Sequence, residues 1–221
     1  VLDESGYPQL NWVGHSMGGM LAYAAMLQYD QRIFRRVVTM GSPVFTSVRH
    51  PVVDLVYRAR GLLELLNWIP ATPLAVAAAV APRWTMDKVG WVAGNPENLD
   101  PAHMRRLAPL ALGSLPSALL AQFAEWYGGG FANTDGLLDY WQLLHRIQAP
   151  LLIIAGPKDQ LCPQDELEAI FEAVGSRHKE LIVAGRAQGL SADYGHIDLV
   201  LGRRAREEIY PHVARWLERR L

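Results

Sequence analysis

The chain has 221 residues, a length that suits one domain with a large insertion or two small domains. Half of the residues (50%) are hydrophobic and 19% are charged, which excludes a disordered chain. With 21 basic and 22 acidic residues, the net charge of −1 excludes the basic surface of a nucleic-acid-binding protein. The single cysteine, Cys162, excludes an internal disulfide and favours a reducing compartment such as the cytoplasm. No apolar run reaches the ~18 residues of a transmembrane segment.

The predicted elements alternate between strands and helices. Residues 10–13 form a short apolar run between Pro8 and Gly14, which predicts a buried strand. Residues 18–28 carry Ala, Leu and Met at helical spacing and predict a helix directly after it. Further strands are predicted at 37–40, 151–155 and 181–184, and helices at 165–174 and along the tail 198–221, with a restart at Pro211. This alternation indicates βαβ units and therefore an α/β fold with a parallel sheet.

The segment 47–146 interrupts the alternation. It is about 100 residues long, contains no convincing strand and holds five of the seven tryptophans. Because a structureless loop of that length is rare in a compact domain, the segment is predicted to be a helical insertion. The predicted domains are thus a core formed by 1–46 and 147–221 and a helical cap or lid at 47–146.

The strongest chemical signal is Gly14-His15-Ser16-Met17-Gly18, placed between the first predicted strand and the first predicted helix. This is the G-x-S-x-G pattern of a nucleophile elbow, a tight strand-to-helix turn that projects the serine hydroxyl. We expect side chains at positions 14 and 18 to clash with the neighbouring strand and helix. The free N–H groups at the helix start favour a developing anion. Ser16 is therefore the predicted nucleophile, and the backbone N–H of Met17 a predicted oxyanion-hole donor.

A serine hydroxyl needs a base, and the chain has seven histidines. Among the histidines beyond the elbow, only His196 lies in a loop that follows a predicted strand. Catalytic groups gather at that end of the strands in a parallel sheet. Asp159, after the third predicted strand, is the predicted acid that orients this histidine. Asp193 and Asp198 flank His196 and are the competing acids, although Asp198 is better placed to cap the helix that follows.

The order Ser16, Asp159, His196 resembles that of the α/β-hydrolase superfamily. The YGHID motif at 194–198, which contains His196, resembles the acid-lipase and polyhydroxyalkanoate-synthase branches of that superfamily. The synthases carry cysteine at the elbow, so Ser16 favours hydrolysis or serine acyl transfer. For the insertion, the resemblance implies only that a lid or cap stands there. The motifs that carry the resemblance are GHSMGG at 14–19, PLLIIAGPKD at 150–159 and YGHID at 194–198.

The resemblance also implies that the chain is a C-terminal fragment. In the superfamily the elbow follows the fifth strand of an eight-stranded sheet, and the second oxyanion donor comes from the loop after the third. Here the elbow begins at Gly14, and residues 1–6 look like the end of the helix that leads into it. Four strands and one oxyanion donor are then absent. We expect an open sheet edge at 10–13 and a rate lowered by ~10²–10³ for residues 1–221 alone.

These features predict a serine hydrolase that cleaves a carboxylic ester through an acyl-enzyme on Ser16. A minority of the aromatic residues of the insertion are expected to form an apolar pocket, so the predicted substrate is a small lipophilic ester. An acyltransferase with the same triad and a non-catalytic, hydrolase-like binding domain are the alternatives. The sequence shows no metal-ligand spacing and no phosphate-binding loop, so no metal or other cofactor and no nucleic-acid partner is predicted. The oligomeric state stays open.

Overall fold

The structure is a computed structural model that describes residues 1–44, 94–111, 113–133 and 135–219, with positions 58, 61 and 68–69. Several aromatic residues of the predicted insertion lie outside the described residues: Tyr57, Trp84 and Trp91.

Six strands lie in the described ranges. In chain order they are β1 (Leu10–His15), β2 (Phe34–Met40), β3 (Trp68–Ile69), β4 (Leu115–Pro116), β5 (Leu151–Ala155) and β6 (Lys179–Val183). A parallel sheet has the order β1-β2-β5-β6, and β3 pairs with β4 in antiparallel fashion. The α/β fold with a parallel sheet is therefore confirmed. The sequence predicts no strand in the insertion, because β3 and β4 are too short to leave a periodic pattern.

Burial explains why the central strands are continuous apolar runs. Every residue of β5 is fully buried, since this strand has neighbours on both sides and helices on both faces. Within the described residues, β1 has a neighbouring strand on one side only, and its Val13 is 47% exposed. All four strands are parallel, so the segments that follow them meet at one edge of the sheet.

Nine helices are described. They are α1 (Leu2–Ser5), α2 (Met17–Gln28), α3 (Pro101–Ala111), α4 (Ser117–Gly129), α5 (Tyr140–Leu143), α6 (Gln164–Ala173), α7 (Asp198–Leu201), α8 (Ala205–Glu208) and α9 (Tyr210–Glu218), with 3₁₀ turns at Gln31–Ile33, Pro96–Asn98, Leu144–Arg146 and Arg186–Gln188. One apolar cluster joins α2, α5 and α6 to one face of the sheet, and a second joins α7, α8 and α9 to the other. The tail is thus three helices, the last with Pro211 in its first turn. Along the ranges that the structure describes, no helix has the length and apolar character needed to cross a membrane.

Part of the predicted insertion packs into the core. Phe131 and Tyr140 are buried in the same apolar cluster as Tyr23 and Met26 of α2. The Nε2 of Gln28, at the end of α2, donates a hydrogen bond to the hydroxyl of Tyr140. These contacts attach the C-terminal part of the segment 47–146 to the helix that follows the elbow, while the division into core and cap stays a prediction.

Candidate active site

Ser16 occupies the turn between β1 and α2. Its backbone angles, φ 54° and ψ −122°, are rarely adopted by non-glycine residues, and no other non-glycine residue in the described ranges has a positive φ. The turn is fixed by two backbone hydrogen bonds, from Ser16 N to Met40 O (2.9 Å) and from Gly19 N to Ser16 O (3.0 Å). The sequence therefore folds here into the strained strand-to-helix turn that a nucleophile elbow requires.

Of the two glycines that were expected to be sterically required in the elbow, only Gly14 is. A Cβ on Gly14 would collide with the backbone of Gly18 and Gly19, as predicted. The prediction for Gly18 is wrong, because no heavy atom of the described residues lies within 4 Å of a Cβ built there. The second close approach is at Gly19 instead, where a Cβ would collide with the side chain of Ser42. The turn after β2, which carries Ser42, therefore limits how closely α2 can approach β2.

Asp159 and His196 meet at the carboxyl edge of the sheet. Asp159 follows β5, His196 follows β6, and 2.8 Å separates Asp159 Oδ2 from His196 Nδ1. Both residues are buried, at 3% and 5% exposure. The other carboxylate oxygen, Oδ1, accepts hydrogen bonds from the N–H groups of Leu161 (2.9 Å) and Cys162 (2.8 Å). Because a carboxylate only accepts, His196 Nδ1 carries the proton, and Nε2 is left as a base.

Gly41, the residue after β2, lies against this pair. Its φ is +52°, and a Cβ there would stand 2.8 Å from Asp159 Oδ2 and 3.1 Å from His196 Nδ1. Any larger side chain would therefore push the acid and the histidine apart. The sequence reveals Gly41 only as the end of a strand, because nothing local signals that this turn lies under two residues more than a hundred positions away.

Asp193 and Asp198, the competing acids, have other partners. Asp193 Oδ1 accepts a hydrogen bond from Arg186 N at 2.9 Å. Asp198 is fully buried and its carboxylate accepts from Gly195 N, at 2.9 and 3.0 Å to its two oxygens. The expectation that Asp198 caps the following helix is wrong, since Ile197 is the N-cap residue of α7 and the Asp198 carboxylate points back to the histidine loop.

The Asp198 carboxylate also ties the histidine loop to residues 95–98. It accepts hydrogen bonds from Asn95 N (3.0 Å) and from Asn98 Nδ2 (3.0 Å), both on buried residues. Gly195 allows this approach, because a Cβ there would stand 2.7 Å from Asn95 N. Sequence reasoning missed this clamp, since about a hundred positions separate its two sides.

We expect Asp198→Ala to lower the free energy of unfolding by about 3 kcal/mol, because three buried N–H donors lose their acceptor. Urea denaturation of the intact protein measures it. Asp193→Ala is the matched control in the same loop, and should cost about 1 kcal/mol since one hydrogen bond is lost. Equal losses for the two variants would contradict the assignment of Asp198 as the clamp.

His15, inside the elbow, contacts the histidine loop directly. Its Nε2 lies 2.9 Å from the carbonyl oxygen of His196, and the two ring centroids are 4.7 Å apart. Burial, and next the nearby His196, lower the pKa of His15 from 6.5 to about 4. His15 is therefore neutral near pH 7 and donates its Nε2–H to the His196 carbonyl. Ser16 Oγ makes no hydrogen bond to a described residue, and the role of His196 as its base stays a prediction.

The lowered pKa of His15 makes stability depend on pH. The unfolded chain binds the His15 proton more tightly than the folded chain, so stability is lost as the pH falls from 6.5 towards 4. We expect the unfolding free energy to fall by about 2 kcal/mol more in the wild type than in His15→Asn between pH 7 and pH 4.5. The asparagine keeps an N–H donor and does not titrate. Urea titrations with identical pH slopes for both proteins would refute this.

Met17 begins α2, and its backbone N–H belongs to the first turn, where the helix supplies no acceptor. The side chains and the N–H that the sequence singles out therefore lie on three connected segments: the elbow, the turn after β5 and the loop after β6. The structure brings Asp159 and His196 into contact and places Ser16 next to His15, which contacts the His196 loop. The catalytic roles of these residues, including that of Met17, stay predictions.

Comparison with known proteins identifies the family. The family described as "Serine aminopeptidase, S33" matches residues 1–187 of the chain. The chain belongs to this α/β-hydrolase family. Its sequence resemblance to the α/β-hydrolase superfamily is thereby confirmed. A search among curated proteins found no match for this hydrolase.

Solved structures share the fold of this α/β-hydrolase. An esterase from Thermogutta terrifontis has a TM-score of 0.62 at 16% identity, covering 98% of this chain and 67% of its own. A monoacylglycerol lipase from Paleococcus ferrophilus has a TM-score of 0.62 at 16% identity, covering 98% and 70%. The hydrolase MGS-M2, from a deep-sea metagenome library, has a TM-score of 0.59 at 16% identity, covering 100% and 69%. Identities this low show the shared fold alone.

Proposed function

We propose that the protein hydrolyses a carboxylic ester through an acyl-enzyme on Ser16. The observation that carries this proposal is the buried contact of Asp159 with His196, whose loop touches the strained turn of Ser16. A buried carboxylate that fixes the tautomer of a histidine is the arrangement that activates a serine. Membership of an α/β-hydrolase family supports hydrolysis as the reaction class.

In the proposed mechanism, His196 Nε2 takes the proton of Ser16 Oγ as that oxygen attacks the ester carbonyl. The Met17 N–H donates to the oxyanion of the tetrahedral intermediate. When the C–O bond of the ester breaks, His196 returns the proton to the leaving alcohol. Water, deprotonated by the same nitrogen, then attacks the acyl-enzyme, and the acid is released with Ser16 restored. Asp159 stays ionised and stabilises the imidazolium in both steps.

We infer that the ester is small and lipophilic. An apolar groove begins at Met17, and it is lined in part by aromatic side chains of the segment 47–146, Trp126, Phe131 and Tyr140. An esterase and a monoacylglycerol lipase share the fold, which is consistent with such a substrate. An acyltransferase would use the same acyl-enzyme with an alcohol in place of water, so analysis of the products separates it from a hydrolase.

Labelling with a fluorophosphonate probe tests the proposal without knowledge of the substrate. We expect the intact protein to be phosphonylated on Ser16, because only a serine activated by a base reacts at a useful rate. Ser16→Ala is the control and should stay unlabelled. Absence of labelling in the folded wild type would instead favour the non-catalytic binding domain.

A further inference from the structure

A basic cavity of about 390 Å³ lies at the amino end of the parallel sheet. Its lining includes Lys179, the first residue of β6, and Arg36, near the start of β2. Asp159 and His196 follow the other ends of their strands, and the five residues of β6 span ~16 Å. The cavity is therefore separate from the proposed reaction centre, and a ligand bound in it does not depend on ester hydrolysis.

The cavity contains a buried cation without an anionic partner. Arg36 is only 1% exposed, and no ion pair in the described ranges includes it. Burial, and next the charges of Arg35 and Arg219, lower the pKa of Arg36 from its ordinary value, although a guanidinium stays protonated in proteins. Burying an unpaired charge is costly, and an apolar side chain of similar size would avoid that cost. Packing alone therefore does not explain an arginine here.

The guanidinium of Arg36 is fixed in place with donors to spare. Its Nη2 donates a hydrogen bond to the carbonyl oxygen of Arg219, while its Nε is sealed from solvent and bonds no described residue. The ring of Trp216 lies between the two guanidinium groups, at 5.3 Å from that of Arg36 and 5.6 Å from that of Arg219. Trp216 is itself anchored, since its Nε1 donates to the carbonyl oxygen of Val37 at 3.1 Å. Nη1 of Arg36 is thus the nitrogen left for a ligand, on a group that is already oriented.

The other cations of the cavity leave an excess of positive charge. Four of the seven lining residues are Arg or Lys, and Glu180 is the one acid among them. Glu180 pairs with Arg219. Arg177 is exposed and forms no ion pair with a described residue. Four cations and one carboxylate leave three positive charges around the cavity.

Lys179 does not reduce this excess. Its Nζ donates to the carbonyl oxygens of Phe171 at 2.5 Å and of Val174 at 2.7 Å, which satisfy the donor without supplying a full negative charge. A single carboxylate would balance one of the three charges. A phosphate monoester carries about two negative charges near pH 7 and offers three acceptor oxygens, which guanidinium groups bind in pairs. Phosphate is therefore the anion that matches the cavity best.

We propose that this cavity binds the phosphate group of a small phosphomonoester, with Arg36 at its base and Arg177 at its rim. The same chemistry is offered by inorganic phosphate and by the headgroup of phosphatidic acid. The binding energy comes from charge-assisted hydrogen bonds and from the neutralisation of Arg36, which is otherwise buried without a counter-ion.

Thermal melting of the intact protein in inorganic phosphate, against chloride at equal ionic strength, tests the site. We expect about 20 mM phosphate to raise the melting temperature by about 5 °C, which corresponds to a Kd on the order of 1 mM. Succinate should give a smaller rise, because each of its carboxylates carries one charge. No rise with phosphate, or an equal rise with succinate, would overturn the proposal.

Two variants locate the binding. Arg177→Ala changes an exposed side chain, so the fold is kept, and it should weaken phosphate binding about tenfold in calorimetric titration. Arg36→Met should abolish the phosphate-induced rise and melt in chloride at the wild-type temperature or above it, because the unpaired buried charge is gone. Arg206→Ala is the matched control, since it removes the same charge from the exposed face of α8, outside the cavity. Its Kd should stay within about twofold of the wild type.

The outcomes separate a ligand site from a structural arginine. If Arg36→Met melts lower in chloride and keeps the phosphate-induced rise, Arg36 serves packing alone and the proposal is overturned. Equal Kd values for Arg177→Ala and Arg206→Ala would also overturn it. Glycerol 3-phosphate and vesicles of phosphatidylcholine with or without phosphatidic acid identify the source. Binding of glycerol 3-phosphate supports a soluble phosphomonoester, whereas sedimentation with phosphatidic acid vesicles alone, lost in Arg177→Ala, would assign the cavity to a lipid headgroup and overturn the soluble ligand.

Discussion

Replacing His196 by alanine is expected to lower kcat for ester hydrolysis by about 10⁴- to 10⁶-fold. The reason is that Ser16 Oγ then has no base, and no other side chain of the described residues holds a ring nitrogen oriented by a buried carboxylate. Ser16→Ala should lose a similar factor. The double variant should be no worse than either single one, because the two residues act as a unit.

His178→Ala is the control for this prediction. His178 is exposed and stands before β6, at the opposite end of the strand from the His196 loop. Its removal should leave kcat within about twofold, in the range of surface substitutions. Kinetics with a saturating 4-nitrophenyl ester in the intact protein provide the measurement. If His196→Ala kept more than about a hundredth of wild-type kcat, the assignment of His196 as the base would be wrong.

The second large effect is expected for Asp159→Asn, with kcat lowered by about 10³- to 10⁴-fold. The oxygen of the new side chain can still accept the N–H groups of Leu161 and Cys162, so the turn is preserved. The amide nitrogen then faces His196 Nδ1 and donates to it. His196 is forced into the tautomer with its proton on Nε2, which cannot accept the proton of Ser16.

Asp193→Asn is the matched control, a carboxylate of the histidine loop that binds Arg186 N instead. We expect it to lower kcat less than tenfold, because it does not touch the imidazole. Melting temperatures of both variants show whether a loss of rate reflects a loss of fold. Comparable losses of kcat for the two variants would show that the assignment of Asp159 as the acid is wrong.

Local signals were sufficient for the sheet and for the elbow. The strand predicted at 151–155 is β5 to the residue, since a fully buried strand is apolar throughout. The predicted strand at 37–40 is the C-terminal part of β2, whose first residues include the charged Arg35 and Arg36 and so hide the pattern. The turn at Ser16 was predictable from the G-x-S-x-G pattern between a strand and a helix, in which Gly14 is required because the backbone of Gly18 and Gly19 lies against it.

The features that were missed depend on contacts between distant segments. The clamp of Asp198 on Asn95 and Asn98 joins residues about a hundred positions apart, and neither asparagine stands in a recognisable motif. The place of Gly41 under the acid and the histidine follows from the order of strands in the sheet, which a single sequence does not give. His15 was identified as part of the elbow, but its bond to the His196 carbonyl depends on where the loop after β6 returns.

Trapping the acyl-enzyme tests the central claim most directly. The intact protein is mixed with a 4-nitrophenyl ester, quenched in acid within milliseconds and digested, and the peptide that contains Ser16 is weighed by mass spectrometry. We predict a mass increase equal to the acyl group on Ser16, with a burst of nitrophenol of matching amount and no adduct in Ser16→Ala. An adduct on another residue, or the same adduct in Ser16→Ala, would contradict the account.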